Sequence, residues 1–190
     1  MKQIVTNLLA MTKNAMSDTD ISRDLDKIDA TFTAVYQAPA GVEHYRLLSY
    51  IGRQVSDSLI LDVGTYRGYS AIALSNNLNN KIISYDIQKH HIQEDTSNTE
   101  YRIGEALKFE DFKNTSIILL DTFHDGVYEE VFINHLRSIK WTGLLIMDDI
   151  NEFPALRVLF DKLPEEKYDI SHIGHWSGTG LVVFNSEEQR

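Results

Sequence analysis

The chain has 190 residues, of which 43% are hydrophobic and 24% are charged, and this composition is typical of a single globular domain. It contains no cysteine, which excludes disulfides, thiolate metal sites and a cysteine nucleophile. Its 28 acidic and 18 basic residues give a net charge of −10, which argues against binding nucleic acid by neutralising many phosphates.

Hydropathy leads to a first expectation about location. No apolar run reaches the ~20 residues that a membrane-spanning helix needs. Residues 1–16 also lack the continuous apolar core of a signal peptide, because Thr6, Asn7 and Lys13 interrupt it. We therefore expect a cytoplasmic protein that has neither a membrane nor a nucleic acid as its partner.

Residues 1–40 are predicted to form a helical extension. Ile4, Leu8 and Met11 recur at the spacing of one helix face, and a second set of apolar residues repeats this spacing further along. We expect the extension to lie over the main body as a lid, or to serve as the interface of a homodimer. Residues 41–190 are predicted to form one ligand-binding domain.

Predicted helices and strands alternate from residue 41 onward. The strand candidates are short apolar runs without polar alternation, which is typical of strands buried on both faces. Strands separated by helices form a parallel sheet with helices on both sides. The predicted strands are 59–63, 81–86, 101–103, 116–121, 144–148, 168–173 and 180–184, and the predicted helices are 41–55, 128–139, 151–160 and one that begins near residue 69.

The last two predicted strands break this alternation. The loop between them, residues 174–179, is too short for a crossover helix, so the two strands are expected to pair antiparallel. We therefore predict an α/β fold with a Rossmann-like, mostly parallel seven-stranded sheet, helices on both faces and a C-terminal antiparallel hairpin.

A glycine-containing turn, DVGTYRGYS at residues 62–70, follows the first predicted strand and begins a helix. Gly64 and Gly68 allow the backbone to turn tightly and approach a ligand, while the helix start offers free N–H groups. The G-x-x-x-G spacing differs from the G-x-G-x-x-G of pyrophosphate-binding turns. This favours a ligand without a pyrophosphate, although the same spacing also occurs at ordinary turns.

Asp86 closes the second predicted strand. A carboxylate at this position can accept hydrogen bonds from both hydroxyls of a ribose. A solvent-facing aspartate is the alternative. Together with Gly64 and Gly68, Asp86 predicts a nucleoside-containing ligand at the carboxyl ends of the first two strands.

Three carboxylates, Asp121, Asp148 and Asp149, follow the fourth and fifth predicted strands. The carboxyl ends of neighbouring parallel strands converge at the ligand crevice, where three carboxylates repel one another unless a cation is present. An all-oxygen ligand set suits Mg²⁺, Mn²⁺ or Ca²⁺. The alternative is that Asp149 caps the next helix and Asp148 bonds to the backbone.

Residues 38–75 resemble the metal-dependent small-molecule O-methyltransferases of the catechol and caffeoyl-CoA type, a class I family that uses S-adenosylmethionine (SAM). The runs LDTFHD (120–125) and TGLLIMDD (142–149) are similar to the family's acidic motifs, which are more specific than its glycine turn. The resemblance implies a SAM-binding domain over residues 41–190, a divalent metal, and methyl transfer to a small hydroxylated acceptor.

The resemblance also implies roles for individual residues. His124 stands where the family has its catalytic lysine, and an imidazole can accept a proton at neutral pH. Asp149 stands where the family usually has asparagine. The implied residues are Asp121 and His124 for catalysis; Asp121, Asp148 and Asp149 for the metal; and Asp62, Gly64, Thr65, Gly68, Ser70, Asp86, Gly104, Glu105, Ala106 and Asp121 for SAM.

Other histidines have weaker signals. His175 and Trp176, in the loop of the final hairpin, are expected to face the ligand edge and line an acceptor pocket, with a buried Trp176 plug as the alternative. His90 and His91 lie in a polar stretch that is predicted to be a solvated loop, where no ligand spacing supports a zinc site.

Two other functions remain open from the residues alone. A nicotinamide-dependent oxidoreductase is compatible with Asp86, although the glycine spacing argues against it. A non-catalytic nucleoside-binding module on the same fold would leave the three carboxylates a structural role. Nothing in the sequence selects among catechol, polyol and sugar acceptors.

Overall fold

A seven-stranded β-sheet forms the centre of the computed structural model, which describes residues 1–30, 32–90 and 97–185. The strands are β1 (Leu59–Val63), β2 (Lys81–Asp86), β3 (Thr99–Ile103), β4 (Thr115–Leu120), β5 (Gly143–Asp148), β6 (Glu166–Asp169) and β7 (Thr179–Phe184). Their order is β3-β2-β1-β4-β5-β7-β6, and all run parallel except β7, which pairs antiparallel with β5 and β6. The predicted fold, including the C-terminal antiparallel hairpin, is confirmed.

Eight α-helices surround this sheet in the described part of the chain. They are α1 (Lys2–Leu9), α2 (Lys13–Ser17), α3 (Ser22–Leu25), α4 (Thr33–Tyr36), α5 (Gly41–Arg53), α6 (Tyr69–Leu74), α7 (Val127–Ser138) and α8 (Pro154–Lys162). None of these helices has both the length and the apolar character of a membrane span.

Both faces of the central strands are covered. On β5, Leu144 and Ile146 pack in the apolar cluster that includes α1, α5 and α6, while Leu145 and Met147 pack in the cluster that includes α7 and α8. Successive side chains of a strand point to opposite faces, so a strand buried on both faces is apolar at every position. This explains the continuous apolar runs from which the strands were predicted.

The N-terminal helices pack directly against the body of the protein. Leu8 of α1 is fully buried in the same cluster as α5, and Tyr36 of α4 packs beside Tyr69 of α6. The buried carboxylate of Asp24 accepts hydrogen bonds from the Tyr36 hydroxyl, at 2.8 Å, and from the amide of Asn76. A lid or interface role for this segment stays a prediction.

The largest difference from the predicted elements concerns β6, which was expected at residues 168–173 and instead ends at Asp169. The backbone N–H groups of Ile173 and Gly174 both donate to the carbonyl of Ile170, at 3.0 and 3.2 Å, and form a turn. Ile170 and Ile173 are both buried from this turn. Their apolar character therefore reflects core packing and not a continued strand.

The topology defines where a ligand crevice opens. β1 pairs with β2 on one side and with β4 on the other, so chain connections leave the carboxyl ends of β1 and β4 in opposite directions. In open α/β sheets, ligands bind outside the carboxyl ends of the strands at such a switch point.

Candidate active site

The turn between β1 and α6 has two glycines, which place backbone without a side chain at the crevice. Gly64 has φ = 110°, and a Cβ at this position would lie 1.6 Å from the backbone oxygen of Asp121. Gly68 adopts a left-handed conformation (φ = 82°) immediately before α6. Glycine at both positions allows conformations and a close approach that other residues would not.

Asp62 is fully buried at the end of β1, behind this turn. Its Oδ2 accepts hydrogen bonds from the hydroxyls of Ser70 and Ser84, at 3.1 and 2.5 Å. Its Oδ1 has no hydrogen-bond partner among the described residues. Burial raises the pKa of Asp62 to about 7, because removal from water penalises the charged carboxylate more than the two hydroxyls stabilise it.

Thr65 and Ser70 also belong to the interior of the turn. The Thr65 hydroxyl lies 2.6 Å from the hydroxyl of Ser84, which in turn donates to Asp62. These side chains therefore hold the turn against β2 and orient the buried carboxylate.

Asp86 holds the opposite wall of the crevice. Its Oδ2 accepts the backbone N–H of Tyr66 and its Oδ1 accepts the backbone N–H of Gln88, both at 2.9 Å. His90 Nε2 lies 3.5 Å from the same Oδ2. These two backbone N–H groups fix the side chain. Because each carboxylate oxygen has two lone pairs, it can still accept hydrogen bonds from a ligand.

A cavity of about 520 Å³ opens between these elements, within the usual range for small-molecule sites. Six of the predicted site residues line it: Gly64, Asp86, Gly104, Glu105, Ala106 and Asp121. Tyr128 donates a 2.6 Å hydrogen bond to Glu105 Oε1 and fixes that side chain at the cavity wall. A larger cavity of about 850 Å³ at the other end of the strands has none of the predicted site residues in its lining.

Asp121 and His124 come together beyond β4. His124 Nε2 lies 3.1 Å from Asp121 Oδ1 and 3.8 Å from Asp149 Oδ2, and its ring stacks on Phe153 with centroids 5.2 Å apart. Burial by itself would lower the pKa of His124, but the neighbouring carboxylates, Asp121 above all, outweigh it and raise the pKa. The imidazole is therefore held between negative charge and an aromatic surface.

Two of these residues have a strained backbone. His124 has φ = 57° and Asp149 has φ = 56°, a conformation that costs non-glycine residues roughly 1–3 kcal/mol and is concentrated at functional sites. The sequence carries no signal for this strain.

Two further histidines, His44 and His175, flank Asp148, which is buried at the end of β5. Asp148 Oδ1 lies 2.8 Å from His175 Nε2 and 3.2 Å from His44 Nδ1. Burial would raise the pKa of Asp148, but the two imidazoles lower it well below its ordinary range. Desolvation opposes the charge of His44, yet Asp148 raises the pKa of His44 to about 9.

His44 is the residue that the sequence analysis missed. It lies on α5, one turn before the buried Leu47 and Leu48, and a single histidine on an apolar helix face is an ordinary core pattern. Its partners lie far along the chain, with His175 separated from it by 131 residues. His175 itself was expected at the ligand edge, and the structure places it beside Asp148 and within 3.9 Å of Asp149 Oδ1.

Two groups of the described residues have the geometry to hold a metal ion, and they share Asp148. One is Asp121, His124 and Asp148, and the other is His44, Asp148 and His175; within each group the ligand atoms lie within 4.8 Å of one another. Asp149 belongs to neither group. The all-oxygen set of Asp121, Asp148 and Asp149 stays a prediction.

Two further expectations can be compared with the structure. Trp176 is 68% exposed, which contradicts the buried plug and leaves its place in an acceptor pocket as a prediction. His90 lines the 520 Å³ cavity beside Tyr66 and Asp86, and so is part of the crevice wall and not simply solvated. His91 and two acidic residues of the same polar stretch, Glu94 and Asp95, lie outside the described residues.

No protein-family model matches the chain, and no match to a curated protein is found. Solved structures with low sequence identity are nevertheless similar to it. The methyltransferase from Podospora anserina with bound S-adenosylhomocysteine (SAH) has a TM-score of 0.60 and 12% identity, covering 97% of this chain and 94% of that one. The O-methyltransferase from Bacillus cereus in complex with SAH has a TM-score of 0.59 and 14% identity, covering 94% of this chain and 100% of that one.

A third similar structure is that of the O-methyltransferase TomG from Streptomyces achromogenes, which is involved in tomaymycin synthesis and contains SAM. Its TM-score is 0.59 at 14% identity, covering 88% of this chain and 92% of that one. At such identities the similarity shows the fold. The chain thus has the fold of the class I SAM-dependent O-methyltransferases, as the sequence resemblance implied.

Proposed function

We propose that this protein is a SAM-dependent methyltransferase that transfers a methyl group to a hydroxyl oxygen of a small molecule. The observation that carries the proposal is the 520 Å³ cavity, in which Gly64, Asp86 and Gly104–Ala106 meet at the carboxyl ends of the strands. This is the switch point at which α/β sheets bind nucleoside ligands. The SAM and SAH bound to similar solved structures support the same cofactor.

Each part of the cofactor has a candidate partner. The Asp86 carboxylate accepts the ribose hydroxyls, and Gly104, Glu105 and Ala106 lie along the adenine. The methionine part is held by the turn after β1, where the unpartnered Oδ1 of Asp62 suits an ammonium group. The rest of the proposed SAM site consists of Gly64, Thr65, Gly68, Ser70 and Asp121.

The chemistry is an in-line displacement at the sulfonium methyl, in which the protein positions donor and acceptor and excludes water. His124 accepts the proton of the acceptor hydroxyl. The Asp121 carboxylate lies 3.1 Å from Nε2 at the edge of the imidazole, and Phe153 stacks on a face of the ring. The raised pKa makes His124 a stronger proton acceptor once it is neutral, so this step is favoured above the pKa of the imidazole.

We also propose that a divalent cation such as Mg²⁺, Mn²⁺ or Ca²⁺ assists, held by Asp121, Asp148 and Asp149. The support is that a carboxylate oxygen of Asp121 and one of Asp148 lie within 4.8 Å of each other. When bound, a cation there lowers the pKa of the acceptor hydroxyl. A homodimer, a cytoplasmic location and the absence of nucleic-acid and membrane partners stay part of the proposal.

The deciding experiment is a thermal-shift panel with SAM, SAH and NAD, each with and without Mg²⁺, followed by calorimetric titration. We expect SAM and SAH to raise the unfolding temperature and to bind in the micromolar range, whereas NAD does neither. Binding of NAD with no binding of SAM or SAH would replace the proposal with an oxidoreductase. SAH binding without methylation of any catechol, polyol or sugar would instead indicate a non-catalytic binding module.

A further inference from the structure

His44 and His175 flank Asp148 in a compact group of polar side chains, and the proposed methyl transfer uses neither histidine. His44 Nδ1 lies 3.2 Å from His175 Nε2 and 3.2 Å from Asp148 Oδ1, and His175 Nε2 lies 2.8 Å from that same oxygen. All three side chains are more than nine-tenths buried. Three such atoms that face one another define either a hydrogen-bond network or a set of metal ligands.

We propose that His44 Nδ1, His175 Nε2 and the carboxylate of Asp148 bind a transition-metal ion of the Zn²⁺, Co²⁺ or Fe²⁺ class. Metal–ligand distances of ~2.0–2.1 Å with tetrahedral angles place neighbouring ligand atoms about 3.3 Å apart. The three separations here, 3.2, 3.2 and 2.8 Å, are close to that spacing. Small movements of side chains would therefore complete the site.

The surroundings of the group support this assignment. The second ring nitrogen of His175, Nδ1, is hydrogen-bonded to the hydroxyl of Ser177, and metal-binding histidines almost always have such a partner on the nitrogen that does not bind the metal. The rings of His44 and His175 are nearly perpendicular, at 83° with centroids 5.0 Å apart, so neither blocks the approach of the other to a common point.

The scaffold also suits a binding site. The three residues come from α5, β5 and the loop between β6 and β7. Asp148 is further fixed by the pairing of β5 with β7, in which it faces Thr179. Ligands presented by elements of the folded core are held in place before the ion arrives, which reduces the cost of ordering them.

The donor atoms determine the class of metal. Two imidazole nitrogens and one carboxylate oxygen favour zinc, iron or cobalt, whereas Mg²⁺ and Ca²⁺ prefer oxygen ligands. The group also competes for Asp148 with the oxygen set of Asp121, Asp148 and Asp149. The inference deepens the proposed methyl transfer, on which its catalytic meaning rests, because the shared Asp148 places the ion beside the Asp121–His124 pair.

The test uses the untagged 190-residue chain, dialysed against a chelator and then titrated calorimetrically with Zn²⁺, Co²⁺ or Mg²⁺. We expect one Zn²⁺ per chain with micromolar or tighter affinity, visible absorption bands with Co²⁺, and much weaker binding of Mg²⁺. His44→Gln and His175→Ala should each weaken Zn²⁺ binding at least about 100-fold. His172→Ala is the matched control, since His172 is exposed in the same loop as His175.

Several results would contradict the proposed metal site. These are no Zn²⁺ binding to the wild type at about 100 µM, tighter binding of Mg²⁺ than of Zn²⁺, or equal Zn²⁺ affinity in the wild type and both histidine variants. If a variant does not fold, the wild-type Co²⁺ spectrum decides, because a spectrum no different from that of aqueous Co²⁺ also overturns it. The wild type is also titrated with SAH, so that the two proposals are tested separately. A wild type that binds Zn²⁺ but not SAH would contradict only the methyltransferase proposal.

Discussion

Gly64 and Asp121 approach each other so closely that a side chain on Gly64 would place its Cβ 1.6 Å from the backbone oxygen of Asp121. The turn after β1 and the end of β4 are thus in backbone contact at the point where the crevice opens. Any residue larger than glycine at position 64 must separate the two strands there.

Gly64→Ala is therefore expected to destabilise the protein by about 3 kcal/mol or more, because backbone on both sides has to move. The comparison variant is Gly104→Ala, which also has a positive φ, of 139°, but whose new Cβ would meet no atom within 4 Å. We expect that variant to cost only the backbone strain, about 1–3 kcal/mol. Urea unfolding of both variants measures the difference, and equal destabilisation would show that the contact with Asp121 is unimportant.

Asp86→Asn is expected to weaken SAH binding about 10- to 100-fold. The asparagine can no longer accept the backbone N–H groups of Tyr66 and Gln88 with both of its terminal atoms, and it loses the charge that strengthens bonds to the ribose. Asp57→Asn, at the other end of the sheet, is the control and should bind SAH like the wild type. Unchanged calorimetric affinity in Asp86→Asn would remove the ribose role.

SAM affinity is expected to rise as the pH increases from about 6 to 8. Burial raises the pKa of Asp62 to about 7, so the carboxyl is mostly neutral below that pH and ionised above it. Only the ionised form pairs with an ammonium group, so binding at low pH must first release a proton. Titrations in two buffers of different ionisation enthalpy measure this release, and in Asp62→Asn the release should disappear.

His124→Gln is expected to lower kcat on an acceptor found in the hydroxyl panel by about 10²- to 10⁴-fold, the usual contribution of a general base. The affinity for SAH should change by less than about threefold, because His124 is not among the residues lining the 520 Å³ cavity. Steady-state kinetics and SAH titration together separate these effects. A kcat equal to that of the wild type would assign proton transfer to another group.

The free energy of unfolding of Asp24→Asn should increase relative to that of the wild type as the pH rises above the ordinary pKa of aspartate. Burial raises the pKa of Asp24 in the folded state, so its stabilising contribution is complete at acid pH and is lost as the pH rises through the folded-state pKa. Chemical denaturation at several pH values tests this. Asp26→Asn, an exposed neighbour, should change stability by less than about 0.5 kcal/mol at every pH.

The parts of this protein that could be predicted are those that leave a local pattern. β1 and β2 have the predicted bounds, because a strand buried on both faces is a continuous apolar run and each of these is followed by turn residues. β6 could not be placed correctly, since Ile170 and Ile173 are buried from a turn and an apolar residue does not specify which kind of backbone buries it. The crevice residues Gly64 and Asp86 could be predicted because parallel strands bring their carboxyl ends to one edge.

By itself, the sequence determined the parallel sheet, its antiparallel hairpin and the crevice. Hydrophobic periodicity and turn residues are local patterns, so they can be recognised from residues that are close together in the chain. Only the tertiary structure decided that His44 joins Asp148 and His175, because that group forms when α5, β5 and the last loop pack together. Burial is also a tertiary effect, and it is the largest cause that raises the pKa of Asp62 to about 7. Desolvation depends on which distant segments cover a side chain, and no short stretch of sequence contains that information.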